Sequence, residues 1–364
     1  MAEITVHKDG RPAYDIVFRQ NYADLLEKLE KLNINRRRIC VVTETNVSRY
    51  YLEEVRELIE PHCMEYTSFI FEEGEASKNL NTVKALYEHL ILARFDRNDL
   101  LIALGGGVVG DLTGYTAATY LRGIDFIQLP TSLLAQVDSS IGGKTGVDFD
   151  SYKNMVGAFH QPKLVYMNLS TLLTLNDRQF HSGLGEIIKH GLIKDRAYYN
   201  WIHINCDKIN SKDLNVLQEL VVRSCNIKRL VVETDPEEKG ERALLNFGHT
   251  LGHAIEKQMN FQMLHGECVA IGCILAAIIS KNKGMLSEKD ITDIQESFTA
   301  FHFPLLSHDI DVKDIIRITK NDKKMNAGTI KFILLREIGD AYIDLTVSDQ
   351  DMENAIQELL RIDE

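Results

Sequence analysis

The stretch "NFGHTLGHAIE" places His249 and His253 four residues apart, on one face of a predicted helix. His265 begins a second, very apolar helix, and Glu186 lies in "SGLGEIIKHG" with Lys189 one turn later. Two imidazoles and one carboxylate suit a catalytic zinc ion that keeps one coordination position open. Ordinary core or surface roles also explain each residue, so spacing alone leaves the metal open. We expect the N-terminus of its helix to keep His265 neutral, as a metal ligand must be.

A glycine-rich turn could bind phosphate. Gly105, Gly107 and Gly110 match G-x-G-x-x-G after the apolar run "LLIALG", where backbone N–H groups can approach a pyrophosphate closely. The fingerprint also needs an acidic residue at the end of a strand to hold the ribose. Asp125 precedes its strand, whereas Glu44 ends the strand "RICVVT". The sequence therefore favours a nucleotide site with a non-standard arrangement, although such matches are often simple turns.

The segment "SSIGGKTG" resembles a phosphate loop only superficially. The Walker motif G-x-x-x-x-G-K-[ST] requires a glycine where Asp138 stands. Lys144 is still a candidate for anion binding, and a solvated surface lysine is the alternative.

Composition limits the classes of function. The 364 residues include 53 acidic and 41 basic side chains, a net charge of -12, which argues against non-specific nucleic-acid binding. The six cysteines form no C-x-x-C pair, which is typical of a reduced, cytoplasmic protein. The polar N-terminus is no signal peptide, and the longest apolar run is too short to cross a membrane.

The elements that would position these residues change character near residue 174. Before it, apolar runs at 38–44, 68–75, 100–107, 125–131 and 163–168 predict buried parallel strands, with helices between them such as 80–95. After it, most segments have helical spacing, and only 329–337 and 341–347 read as strands. The fold class is therefore α/β: a doubly wound, dinucleotide-binding domain over 1–174 and a mainly helical metal- and substrate-binding domain over 175–364.

Six blocks, in order, resemble the 3-dehydroquinate synthase family: "GGGVVGD" with "TYLRG", "LPTSLLAQVDSSIGGKTGVD", "KNMVGAFHQP", "GLGEIIKHG", "RALLNFGHTLGHAIE" and "HGE". The resemblance implies an NAD- and zinc-dependent enzyme, with cobalt as a possible substitute for zinc. It also implies a cytoplasmic homodimer. The implied reaction converts the phosphorylated sugar acid 3-deoxy-D-arabino-heptulosonate 7-phosphate (DAHP) to 3-dehydroquinate and phosphate, on the shikimate route to aromatic compounds.

The same resemblance implies roles for individual residues. The zinc ligands would be Glu186, His249 and His265. The catalytic residues would be Lys144, Lys189, His253 and, in addition to its role as a ligand, Glu186. The cofactor contacts would be Glu44, Asn46, Glu75, Lys78, Gly106, Gly107, Asp111, Thr131, Ser132, Lys144, Lys153, Thr171, Leu172, Leu173 and Thr174. The substrate contacts would be Arg122, Asp138, Lys144, Asn154, Lys189, Lys228, Arg242, Asn246 and one of Lys323 and Lys324.

One departure from the family pattern and three rival functions are left open. The family often carries lysine where Leu173 stands, so a cofactor contact there would use the backbone. The closest rival is another sugar phosphate cyclase, such as a 2-deoxy-scyllo-inosose synthase. A metal-dependent alcohol dehydrogenase and a non-catalytic regulator are more distant alternatives. We expect Arg242, Asn246 and His249 to share one helix face, which would let Arg242 hold a substrate carboxylate beside the metal.

Overall fold

The computed structural model describes residues 2–150, 152–238, 240–260, 262–304, 306, 310–323 and 330–362. The chain divides into two compact units, Met1–Leu175 and Asn176–Glu364. None of the helices in the described ranges is both long and apolar enough to cross a membrane.

The first unit alternates strands and helices. Its strands are β1 (Ala2–Lys8), β2 (Arg11–Arg19), β3 (Arg38–Glu44), β4 (Glu65–Phe71), β5 (Leu100–Gly105), β6 (Asp125–Pro130), β7 (Lys144–Phe149), β8 (Tyr152–Phe159) and β9 (Leu164–Asn168). Its helices are α1 (Leu25–Glu30), α2 (Thr45–Ile59), α3 (Leu80–Leu92), α4 (Gly107–Thr119) and α5 (Thr171–Thr174).

A seven-stranded sheet forms the centre of this unit, in the order β1-β2-β9-β6-β5-β3-β4. All neighbouring strands are parallel except β1 and β2. Alternate residues of β3 pack on opposite faces: Ile39 and Val41 meet α1 and α2, whereas Cys40 and Val42 meet α3 and α4. Because both faces are covered, the central strands β3, β5, β6 and β9 are buried almost throughout, which confirms the predicted doubly wound sheet.

Two hairpins were missing from the sequence prediction. The edge strand β1 pairs antiparallel with β2, and β7 pairs antiparallel with β8 outside the main sheet. The exposed residues of β1 and β8 interrupt the apolar runs that identify buried strands. The predicted strand over 68–75 also differs, since β4 ends at Phe71 and Glu75–Ser77 forms a 3-10 turn.

The second unit is mainly helical, as predicted. It contains α6 (Asp177–Lys194), α7 (Arg196–Ile204), α8 (Cys206–Asn210), α9 (Leu214–Thr234), a 3-10 helix (Glu241–Asn246), α10 (His249–Gln258), α11 (His265–Asn282), α12 (Glu288–Ala300), α13 (Val312–Lys323), β10 (Phe332–Glu337), β11 (Asp340–Asp344) and α14 (Asp349–Ile362).

The buried helix α11 organises this unit, because α6, α10, α12 and α14 all pack against it. Helices α10 and α11 meet backbone to backbone: a Cβ on Gly272 would lie 1.9 Å from the carbonyl oxygen of Gly248. Gly248 itself has a left-handed φ of 79° at the start of α10. Only glycine fits both positions, so this contact fixes the first residue of α10, which is His249.

Candidate active site

The glycine turn of the first unit lies between β5 and α4. A Cβ on Gly105 would lie 2.5 Å from Val109 Cγ2, and one on Gly107 would lie 3.1 Å from Ser139 Oγ. Glycine at these two positions therefore lets β5 turn tightly into α4. This is the arrangement in which N–H groups and the helix dipole bind a phosphate.

The turn also lies where the strand order reverses. Strand β3 has β4 on one side and β5 on the other, so the chain changes direction across the sheet between β3 and β5. Nucleotides bind at such switch points, beyond the carboxyl ends of the strands. Glu44 and Gly105 end these two strands.

Glu44 has a structural role that the sequence did not indicate. Its carboxylate accepts hydrogen bonds from the backbone N–H groups of Asn46 (2.6 Å) and Val47 (2.7 Å), so it caps α2. A ribose would therefore meet a carboxylate whose oxygens already accept backbone bonds.

A buried lysine joins three segments near the turn. Lys78 Nζ lies 2.7 Å from Asp111 Oδ2 and donates to Asn154 Oδ1 at 2.6 Å. Burial alone would lower the pKa of Lys78, but Asp111 and Glu75 raise it above its ordinary value. Asn154 was expected to contact substrate, and here its amide oxygen is occupied by Lys78.

The other predicted residues of the first unit fall into two groups. Ser132 lies beside Gly106, Thr131 donates its N–H to the carbonyl of Gly105, and the Thr174 hydroxyl bonds Tyr51 of α2. Leu172 is buried, and the Leu173 side chain is half exposed. The second group consists of six predicted residues that are exposed or partly exposed: Asn46, Glu75, Arg122, Asp138, Lys144 and Lys153.

In the second unit three of the predicted ligands converge. Glu186 lies in the middle of α6, and His249 and His265 begin α10 and α11. Glu186 Oε1 is 3.6 Å from Nε2 of both histidines. Ligand atoms about 2.1 Å from a tetrahedral zinc ion lie about 3.4 Å apart, so the spacing fits such an ion.

The charge at Glu186 supports the same conclusion. Both carboxylate oxygens are buried; Oε2 is paired with the Lys189 ammonium, and Oε1 accepts no hydrogen bond from a described residue. Burial alone would raise the pKa of Glu186, but the neighbouring Lys189 ammonium and the two imidazoles hold it well below its ordinary value. A buried carboxylate that stays ionised with open lone pairs is suited to binding a cation.

His253 lies one turn beyond His249 on α10 and is exposed. Its ring centroid is 4.9 Å from that of His249 and 5.6 Å from that of His265, and one nitrogen of each of the three rings lies within 4.8 Å of the others. A set of three histidines is thus an alternative ligand group. We favour Glu186 because its oxygen is the atom that both other imidazoles face.

The surroundings of His265 oppose the neutral form that the N-terminus of its helix favours. Burial would lower its pKa, but the Glu186 and Glu256 carboxylates raise the pKa of His265 to about 9. Glu256 Oε2 lies 3.8 Å from His265 Nδ1, on the side of the ring away from Glu186. Sequence reasoning missed Glu256, although it is the final letter of "GHAIE" and lies one turn beyond His253 on α10.

Buried cations accompany this cluster. Lys189, Lys228 and Arg242 are all less than a tenth exposed, and their elements α6, α9 and the 3-10 helix pack on one another. The expectation that Arg242 and Asn246 share a helix with His249 is wrong: both lie on the 3-10 helix, which ends before Gly248. Arg242 donates to the carbonyl of Pro236 (2.7 Å), and Asn246 to Glu238 (2.9 Å). Lys323 and Lys324 lie outside the described side chains.

Comparisons with known proteins identify the family of this chain. The family described as 3-dehydroquinate synthase N-terminal matches residues 68–182, and its C-terminal counterpart matches residues 183–325. A 3-dehydroquinate synthase of Acetivibrio thermocellus is 41% identical over 352 residues, which cover 97% of each chain. The chain belongs to the 3-dehydroquinate synthase family. The family predicted from the six sequence blocks is therefore confirmed.

Solved structures of other cyclases share the fold of this family member. A 2-epi-5-epi-valiolone synthase of Streptomyces hygroscopicus, solved with NAD+ and Zn2+ bound, has a TM-score of 0.89 at 25% identity, with 97% of this chain and 98% of that chain covered. A 2-deoxy-scyllo-inosose synthase, solved with carbaglucose-6-phosphate, NAD+ and Co2+, has a TM-score of 0.88 at 24% identity, with 98% and 100% covered. The closest rival considered above thus has the same fold, and the substrate must be argued from side chains.

Proposed function

We propose that this protein is a 3-dehydroquinate synthase, which converts DAHP to 3-dehydroquinate and phosphate. The observation that carries the proposal is the position of Glu186 Oε1, 3.6 Å from Nε2 of both His249 and His265. The family membership supplies the reaction, and this geometry supplies a metal site of the kind that the reaction uses. A non-catalytic regulator would have no reason to retain it.

Each of the two units would bind one of the two cofactors. Met1–Leu175 would bind NAD at the switch point of its sheet, and Asn176–Glu364 would hold zinc, or cobalt in its place. When bound, zinc would supply Lewis-acid polarisation of a substrate hydroxyl, and NAD would supply reversible acceptance of a hydride. No NADH would then accumulate, unlike in an alcohol dehydrogenase.

The chain's own residues would hold and neutralise the substrate. Lys189, Lys228 and Arg242 place three cations inside the second unit, which would allow a protein of net charge -12 to bind a trianionic substrate. The planar guanidinium of Arg242 suits a carboxylate, which DAHP has and glucose 6-phosphate lacks. Further substrate contacts would come from Arg122, Asp138, Lys144, Asn154 and Asn246.

His253 would move protons at the substrate. It is the exposed member of the three-histidine cluster, and the pKa of His249 beside it is held well below its ordinary value by burial and by Lys189. An exposed imidazole next to a partly buried metal ligand can exchange protons with solvent and substrate without leaving the site.

Assembly and location are proposed from the family alone. We infer a cytoplasmic homodimer, and the six free cysteines accord with a reducing compartment. Light scattering of the purified protein tests the dimer, and a monomeric mass at working concentration would contradict it.

The decisive experiment follows DAHP with substoichiometric NAD, measuring phosphate release, NADH absorbance and the identity of the product. Many turnovers per NAD, with 3-dehydroquinate as product and no lasting NADH, are expected. One NADH per product would indicate a dehydrogenase. Cyclisation of glucose 6-phosphate as readily as DAHP would indicate another cyclase.

A further inference from the structure

We propose that Arg178 and Ser182 are positioning residues for the metal centre, because they fix the first turn of α11 from the same face of α6 that carries Glu186. The three residues are spaced i, i+4 and i+8, so they form one row along the helix. Their partners are three consecutive residues of α11. Arg178 contacts Glu267, and Ser182 contacts Gly266. Glu186 lies beside His265. The inference rests on the proposed zinc site.

The first contact is a bidentate ion pair. Arg178 donates from Nε to Glu267 Oε1 at 2.7 Å and from Nη2 to Glu267 Oε2 at 2.8 Å. Arg178 also donates to the carbonyl of Gln262 at 3.1 Å, so it holds the loop and the helix together. Glu267 in turn accepts from the backbone N–H of Leu264 at 2.7 Å, which caps α11. The pair therefore sets where α11 begins.

The second contact brings the backbones of α6 and α11 close together. The N–H of Gly266 donates to Ser182 Oγ at 3.1 Å. A Cβ on Gly266 would lie 1.8 Å from the carbonyl oxygen of Ser182, and one on Gly185 would lie 2.7 Å from the carbonyl oxygen of Gly266. Helices α6 and α11 can approach this closely only because both positions are glycine.

These contacts fix the residues on the C-terminal side of His265. With Gly266 and Glu267 held against α6, the His265 backbone has little freedom, and its Nε2 stays 3.6 Å from Glu186 Oε1. If Arg178 is removed, the capping carboxylate loses its anchor and the first turn of α11 can shift. A shift of even a fraction of an ångström changes the ligand spacing that zinc requires.

The test measures metal affinity rather than turnover. Metal-free wild type, Arg178→Gln, Glu267→Gln, the double variant and Ser182→Ala are titrated with Co2+ in the presence of a competing chelator, and the Co2+ absorption spectrum is recorded. We expect Arg178→Gln and Glu267→Gln each to weaken Co2+ binding about 10-fold, the lower end for outer residues of metal sites. The double variant should be no weaker than the poorer single variant, because the two changes remove one interaction. Ser182→Ala should cost a few-fold.

Two further variants separate positioning from folding. Arg336 also pairs with a carboxylate, since its Nη1 donates to both oxygens of Asp340, at 3.1 and 3.2 Å, in the β10–β11 hairpin; Arg336→Gln is therefore the ion-pair control and should bind Co2+ like wild type. Arg178→Lys keeps the charge and should recover part of the affinity. Wild-type affinity and spectrum in folded Arg178→Gln would overturn the inference. Failure of wild type to bind one Co2+ would instead overturn the proposed metal centre on which it rests.

Discussion

Each unit of this protein buries a lysine beside a carboxylate, and the two pairs are built differently. In the first unit Lys78 connects a turn, α4 and β8, with Asp111 and Asn154 both within 2.7 Å of its ammonium. In the second unit Lys189 and Glu186 lie one turn apart on a single helix. Both lysines are almost fully buried, with 6% and 2% of their side chains exposed.

The two pairs differ in whether the carboxylate still has an oxygen free to accept another ligand. Lys78 has partners on two separate elements, so its pair works as a structural tie within the first unit. Glu186 has Lys189 beside one oxygen, while the other oxygen faces two imidazoles at 3.6 Å without a hydrogen bond from the described residues. A buried ion pair is therefore no sign of a site by itself. The unused acceptor on the carboxylate is what points to a metal.

The largest expected effect comes from removing that acceptor. Glu186→Gln should leave less than a tenth of the zinc after dialysis and lower kcat/KM at least about 1,000-fold, because a metal's stabilisation of developing charge is worth several kcal/mol. Asp111→Asn is the matched change in the other pair and should retain its zinc. Metal analysis of both variants decides the matter, and a full equivalent of zinc in Glu186→Gln would contradict the ligand assignment.

The second prediction concerns the two lysines. Lys78→Met should lower the free energy of unfolding by about 3 kcal/mol, the lower end for breaking a buried pair, since Asp111 is 19% exposed. Without zinc, Lys189→Met should lower the free energy of unfolding by about as much. With zinc bound the loss should be smaller, because zinc would neutralise Glu186 in place of the lysine. Urea unfolding of both variants, with and without zinc, measures this. If zinc changed the free energy of unfolding equally in the two variants, the proposed difference between the two lysine–carboxylate pairs would be contradicted.

Much of this arrangement could be predicted from the sequence, and particular residues show where prediction stopped. The apolar runs of β3 and β5 are buried on both faces, so they are readable without a structure. The family resemblance supplied Glu186, His249 and His265. The ion pair between Arg178 and Glu267 joins residues 89 positions apart, and no local pattern encodes it.

Arg242 shows a second kind of limit. Helical spacing over "RALLNFGHT" predicted one continuous helix, but Gly248 takes a left-handed φ and separates the 3-10 helix from α10. The requirement for that glycine comes from the close packing of α11, where a Cβ on Gly248 would lie 2.7 Å from Cys273. Tertiary packing thus overrode local periodicity. Glu256, which helps to raise the pKa of His265, was missed for a related reason, since it lies on another helix, α10.

The third prediction tests whether the cations near the second pair serve the substrate. Arg242 is buried, and its backbone N–H and guanidinium bond Asp235 and Pro236, so its position is fixed by its own segment. Arg242→Lys should cost about 2–3 kcal/mol of DAHP binding, the order of a charged hydrogen bond. Zinc content and NAD affinity should be unchanged. A DAHP titration in which Arg242→Lys binds like wild type would remove the carboxylate-binding role.

The smallest expected effect concerns Glu44, which lies at the switch point but also caps α2. Asp213 is a matched cap in the other unit, where its carboxylate accepts from the N–H groups of Asn215 (2.9 Å) and Val216 (3.2 Å). Glu44→Ala and Asp213→Ala should each lower the free energy of unfolding by about 1 kcal/mol, the usual value of an N-cap. If Glu44 also contacts the ribose of NAD, only Glu44→Ala should weaken NAD binding as well, by several-fold in calorimetry. Equal NAD affinities in the two variants would reduce Glu44 to a cap. The cofactor would then be held by the glycine turn and its neighbours without a carboxylate from β3.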